Sequence, residues 1–259
     1  MRKYCWYIGV LSLATAGMAC SDDGDSTITT DTVGTIVVAE PIDLLYISDS
    51  SGWGVAEEYA RLAEEQLGRT VNVIDWRVGG LSLVEAIAEI DRRPEVVATA
   101  EIIVLEGNPF GSGVREGFGE CMNKYATASP GRYTVDDFAP YQTLFEEALA
   151  KIAAARGNEP TAVRVTDIYS ADPTMWVALG LDADCRTIWA AQSEAITKAA
   201  TAGGAVFVST YDVYNGPSHD EDPVAKGFVR SDRIHPSNKG AAAMAQALAA
   251  IGFAELTDS

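Results

Sequence analysis

The sequence predicts an α/β domain whose parallel sheet of about five strands is covered by helices on both faces. Two observations carry this reading. Short runs of Ile, Leu and Val alternate with longer stretches whose apolar residues recur at helical spacing. Strands that alternate with helices in this way pair in parallel, because each crossover lays a helix on the sheet. No internal repeat or second domain is visible over residues 39–259.

The first strand is expected over residues 42–47, followed by a helix over 55–67 with Tyr59, Leu62, Ala63 and Leu67 on one face. Residues 71–74 make a second strand, 83–90 a helix and 102–105 a third strand. A helix over 138–155 turns Tyr141, Leu144, Phe145, Ala148, Leu149 and Ile152 inward. A strand over 162–165, a helix over 184–202, a strand over 205–208 and an Ala-rich helix over 237–251 complete the set. The long Gly-rich stretch 107–133 carries Phe110, Phe118, Met122 and Tyr125. A connection of that length is either functional or disordered.

A chain of 259 residues, 47% hydrophobic, suits one medium domain plus a targeting segment. Its net charge of −18 repels nucleic acid and anionic lipid headgroups, and no basic patch offsets it. Anionic polymers are poor substrates for the same reason. Arg2 and Lys3 precede an apolar run from Cys5 to Ala19 that is short for a membrane span, so residues 1–19 read as a signal peptide. Cleavage before Cys20 would leave a cysteine for lipidation, although Gly17 stands where such signals usually carry Leu; ordinary cleavage is the alternative. Residues 20–38 are then an acidic, disordered tether and 39–259 the folded domain. The protein is expected to be exported, either lipid-anchored to the envelope or secreted. Cys121 and Cys185 remain after Cys5 and Cys20; in an exported chain they pair, or else stay as buried thiols.

Open parallel sheets place their sites at the carboxyl ends of the strands. The first strand runs into Ser48-Asp49-Ser50-Ser51-Gly52-Trp53-Gly54 and then a helix. A serine between strand and helix meets backbone N–H groups that favour a developing anion, though serines there also cap helices. Gly24-Asp25-Ser26 follows no strand and is tether composition. The second strand leads to Gly79-Gly80-Leu81-Ser82, a tight turn or a close backbone approach to a ligand. The third ends in Glu106-Gly107-Asn108-Pro109-Phe110, where the Asn amide can meet an oxyanion or simply make a turn. Asp232-Arg233-Ile234-His235-Pro236 precedes the last helix. An Asp three residues ahead of a His can hold the ring Nδ1–H and leave the other nitrogen as a general base.

These segments, in this order, resemble the SGNH (GDSL-type) hydrolases over residues 42–252. The resemblance implies a flavodoxin-like three-layer α/β/α fold and a serine esterase working through an acyl-enzyme. It makes Ser50 the nucleophile and Asp232 and His235 its partners, with the Ser50 and Gly80 N–H groups and the Asn108 amide as the oxyanion hole. Ser48 replaces the usual Gly of Gly-Asp-Ser, and Glu106-Gly107-Asn108-Pro109 stands where Gly-x-Asn-Asp is usual. Trp53, Phe110 and His219 are candidate substrate contacts, and a Cys121–Cys185 bridge would restrain the long loop as a wall of the acyl pocket. The acidic neighbours of His219 line the cleft, hold a cation or are simply solvated. No metal or organic cofactor is expected. The substrate is a small-molecule or glycan ester, nucleic acid is not a partner, and the only membrane contact is an N-terminal lipid anchor. A carbohydrate O-acetyl esterase, a peptidase or thioesterase with the same triad, and a non-catalytic surface-binding lipoprotein are the alternatives.

Overall fold

The computed structural model describes residues 40–108, 121, 134–157 and 159–257. By compactness the chain divides into Met1–Val38 and Ala39–Ser259, and every described residue belongs to the second unit. The signal segment, Cys20, the tether, Phe110, Phe118, Met122 and Tyr125 lie outside the described residues.

Strands β1 (Ile42–Ser48), β2 (Val71–Arg77), β3 (Ile102–Glu106), β4 (Ala162–Thr166) and β5 (Val206–Val208) form one sheet in the order β2-β1-β3-β4-β5. Every pairing is parallel. The order reverses beside β1, so the crevice beyond the carboxyl ends of β1 and β3 is where a ligand site belongs. Among the described residues β2 pairs only with β1, and as an edge strand it runs on through Asp75, Trp76 and Arg77, past the end of its apolar run.

The pleat sorts the core into two layers. Leu45, Ile47, Ile103, Leu105 and Val165 face one way, under α2 (Leu83–Arg92), α3 (Pro94–Thr99), α4 (Ala139–Arg156) and α6 (Asp182–Ala202). Leu44, Tyr46, Ile102 and Val104 face the other, under α1 (Val55–Leu67) and α8 (Asn238–Ala250). This alternation is the two-residue period of a strand whose faces are both buried. Among the described residues, α3, α5 (Pro173–Leu179), α7 (Thr210–Asn215) and a final short helix go beyond the sequence reading. The last helix, α9 (Ala254–Thr257), is tied back when Glu255 and the Gly252 carbonyl receive the buried Arg164 guanidinium.

Cys121 and Cys185 are joined in a disulfide with their Cα atoms 5.5 Å apart. It sits in the first core layer, where Trp176 Nε1 donates to the Cys121 carbonyl at 2.7 Å.

Candidate active site

β1 ends on a fully buried Ser48, and the chain then makes a 3-10 turn over Ser50–Gly52. Asp49 caps that turn: its Oδ1 accepts from Ser51 N at 2.7 Å and from Ser51 Oγ. Gly52 has to be glycine, since a Cβ there would lie 2.2 Å from Ser48 Oγ and 2.8 Å from the Tyr46 ring. Ser48 and Gly52 are therefore complementary: the hydroxyl that replaces the expected glycine occupies the space left by the missing Cβ. Ser50 is half-buried at the tip of this turn.

The next turn is fastened to the first, because Val78 N donates to the Ser48 carbonyl at 3.1 Å. Leu81 N closes it on the Val78 carbonyl, and Gly80 takes a φ of +75° that only glycine adopts without strain. Gly80 lines a cleft of about 610 Å³ along the β2 edge with Trp76, Arg77 and Arg93. It is not among the residues lining the pocket beside Ser50.

At the end of β3, Gly107 is packed so closely that a Cβ would lie 2.0 Å from Phe145, and its carbonyl accepts from Tyr141 Oη at 2.7 Å. Asn108, 2% exposed, donates from Nδ2 to Asp49 Oδ2. Ser51 Oγ also contacts Glu106 Oε1, so the ends of β1 and β3 share one polar network.

The Asp232–His235 segment is held from three sides. Val229 and Pro236 form an antiparallel bridge, Tyr169 Oη donates to the Ile234 carbonyl at 2.6 Å, and Arg233 pairs with Asp172 at 2.6 Å. Arg233 has a φ of +57°, a conformation costly for a side chain other than glycine and sustained here by its surroundings. Asp232 Oδ1 accepts from the Ile234 and His235 N–H groups, each at 3.0 Å, and Oδ2 lies 2.9 Å from His235 Nδ1. Burial pushes the Asp232 carboxyl up, but the hydrogen bonds from His235 and Ile234 prevail and hold it at about 2. An ionised Asp232 makes His235 Nδ1 the donor and leaves Nε2 as an acceptor. Trp53 stacks on the imidazole with centroids 4.6 Å apart and planes 13° apart, backing one face of the ring.

Ser50 and Ser51 share a pocket of about 70 Å³ with Ile168, Tyr169, Arg233 and Ile234. It brings the serine turn against the segment that carries His235. Among the described residues no hydrogen bond joins Ser50 Oγ to the imidazole; such contacts commonly tighten only when substrate binds. His219 stands elsewhere: it faces Asp212 at 2.5 Å, stacks on Tyr211 at 3.8 Å, and does not line the Ser50 pocket. Its acidic neighbours are engaged locally, Glu221 with Lys226 and Asp222 with Val224 N. Among the described residues no group of three His, Cys, Asp or Glu is placed to hold a metal ion. Phe110 and Cys20 lie outside the described residues.

Sequence reasoning missed Glu106, Tyr169 and Arg233. Glu106 left a signal, a charged residue closing the otherwise apolar run Ile102–Glu106. Tyr169 left none, since its contact with Ile234 spans 65 residues.

No family model matches the sequence. The chain is 23% identical over 212 residues to the spore germination lipase LipC of Bacillus licheniformis, covering 78% of this chain and 88% of LipC. The lipase Lip_vut3 from a goat rumen metagenome superposes with a TM-score of 0.59 at 21% identity, over 82% of this chain and 98% of that one. A catalytic mutant of Axe2, an acetylxylan esterase from Geobacillus stearothermophilus, superposes with a TM-score of 0.57 at 16% identity, over 82% and 94%. With its parallel sheet in the order β2-β1-β3-β4-β5 between two helical layers, this chain has the α/β/α fold of the SGNH hydrolases.

Proposed function

We propose that this protein is a serine esterase that cleaves carboxylic esters through an acyl-enzyme. The observation that carries the proposal is the pocket shared by Ser50 and the Arg233–Ile234 segment, beside an imidazole oriented by an ionised Asp232. His235 Nε2 takes the Ser50 proton as Oγ attacks the ester carbonyl, then returns it to the departing alcohol. Water, activated by the same nitrogen, releases the acid. The Ser50 and Gly80 N–H groups and the Asn108 amide are the oxyanion donors in this scheme. The lipase and acetylxylan esterase resemblances support the same reaction class.

The acetylxylan esterase resemblance supports a short acyl group, and with it the carbohydrate O-acetyl esterase reading. A panel of nitrophenyl esters of increasing chain length tests both points. Acetate should be turned over well and long acyl chains poorly, and Ser50→Ala should remove the activity. Failure to cleave any member of the panel would count against the esterase.

Export and lipidation at Cys20 belong to the same proposal, with the apolar segment before Cys20 as their support. The mature protein should partition into detergent, and Cys20→Ser should release it or block its maturation. An unmodified mature N-terminus by mass spectrometry would refute the anchor.

A further inference from the structure

Glu106 stands where the resemblance leads one to expect glycine, and the esterase scheme gives it no role. It closes β3 with only 6% of its surface exposed, directly beneath the serine turn. A carboxyl group so placed must be paired with a cation, be held by several hydrogen-bond donors, or carry a proton. Among the described residues neither Glu106 nor Asp49 forms an ion pair; the nearby Arg77 is spent on Asp75 and Glu57.

Counting donors identifies the acid. Ser51 Oγ contacts both Asp49 Oδ1 and Glu106 Oε1, yet a hydroxyl owns a single proton. One of the two carboxyls must therefore donate. Asp49 already accepts from Ser51 N and from Asn108 Nδ2, which suits a carboxylate. Glu106 is consequently the donor: its O–H points to Ser51 Oγ, and Ser51 Oγ points to Asp49.

We propose that Glu106 is a positioning residue which, as a neutral acid, locks Asp49, Ser51 and Asn108 into one hydrogen-bonded unit that fixes the Ser50 turn and the oxyanion amide. Loss of its proton would put two adjacent charges in that unit and open it. The inference rests on the esterase reading for its kinetic consequence, but not for the protonation itself.

The surroundings support it. Burial above all, and then the charges of Asp49 and Asp167, push Glu106 well above the ordinary carboxylate range; a Ser51 hydroxyl turned to donate toward it would work against them. The other titratable groups interacting with it are phenols: Tyr46 from β1, Tyr141 from α4, Tyr169 after β4 and Tyr214 from α7. Arg77 lies 5.9 Å from the centroid of the Tyr46 ring and is engaged by Asp75 and Glu57.

The kinetic signature is an alkaline fall in kcat with little movement in KM, because the unit shapes the site for the transition state more than for the ground state. Glu106→Leu should lower kcat at every pH, by an amount approaching the ~10²-fold loss of one oxyanion donor. Glu106→Gln keeps a donor toward Ser51 and cannot ionise, so it should recover most of that loss and abolish the alkaline fall.

Infrared difference spectroscopy of wild type against Glu106→Gln reads the proton directly. A protonated-carboxyl band should appear at neutral pH and be missing from the variant. Reaction of the wild type with a phosphonate, run alongside, separates the two hypotheses: no reaction sinks the esterase and leaves the infrared arm standing. An alkaline fall equal in Glu106→Gln and wild type, or no protonated-carboxyl band at neutral pH, would overturn the proposal. If Glu106→Leu fails to fold, those two measurements still decide it.

Discussion

Cutting the Cys121–Cys185 bridge is the perturbation whose size can be worked out most fully. The bridge spans a sequence separation of 64, for which the loop-closure relation gives about 4 kcal/mol of lost unfolded-state entropy at 25 °C. Reduction of the native protein removes that constraint and leaves both sulfurs in place. A double Cys→Ala variant also takes two buried sulfurs out of the core, at roughly 1 kcal/mol apiece, so it should fall about 6 kcal/mol in all. For a domain of this size each kcal/mol moves Tm by roughly 2–4 °C, so reduction should lower it by about 8–16 °C. Urea unfolding under oxidising and reducing conditions supplies a second reading. The unbridged chain expands further on unfolding, so its m-value should rise as its midpoint falls. A reduced protein whose Tm shifts by less than about 3 °C with an unchanged m-value would refute the reasoning. Under the esterase proposal, loss of the bridge should raise KM and blur acyl-chain preference with the triad still competent.

Four further outcomes follow from the site and its supports. Asp232→Asn should lower kcat by up to about 10⁴, because the imidazole loses the partner that fixes its tautomer; full activity would leave a Ser–His dyad. With its folded value at about 2 against an ordinary 3.8, Asp232 adds stability above the ordinary value that is lost as pH falls toward 2, and pH-dependent melting should show this contribution vanish in the variant. Asn108→Ala should lower kcat by about 10²–10³ with little change in KM, and cost about 1–3 kcal/mol of stability because Asp49 loses a buried donor; a change in KM alone would make Asn108 a ground-state contact. Asp167 is pushed by burial to about 6, against hydrogen bonds from Ser193, Ser209 and the Tyr211 and Thr210 N–H groups, so its stability contribution declines as pH rises from 3.8 to about 6. Relative to Asp167→Asn the wild type should lose about 3 kcal/mol across that window in pH-dependent melting, and parallel curves would refute the assignment.

Local signals were legible and distant ones were not. The first helix is bounded as expected, Val55–Leu67, because a glycine flanks each end and the apolar face repeats over its whole length. The helices α3, α5 and α7, of six or seven residues, are too short to show a period, and only Pro94 and Pro173 at the first helical position signalled two of them. The strand β2 outran its apolar residues because an edge strand can carry Asp75 at the surface, where it pairs with Arg77. In the site, the Asp232–His235 contact was legible because three residues of spacing contain the whole geometry. Trp53 and His219 show the limit of a single residue type. Their partners, His235 and the Asp212–Tyr211 pair, follow from how segments meet rather than from local chemistry. Glu106 was visible as an oddity, but its meaning depends on Asp49 and Ser51, which only the pairing of β1 with β3 brings beside it.

The most direct test of the central claim is to react the folded protein with a fluorophosphonate and locate the adduct by peptide mass spectrometry. A serine activated by His235 should take one phosphonyl group per chain at Ser50. Ser50→Ala should take none. An adduct on Ser51, or a wild-type protein that remains unmodified while fully folded, would contradict the assignment of Ser50 as the nucleophile.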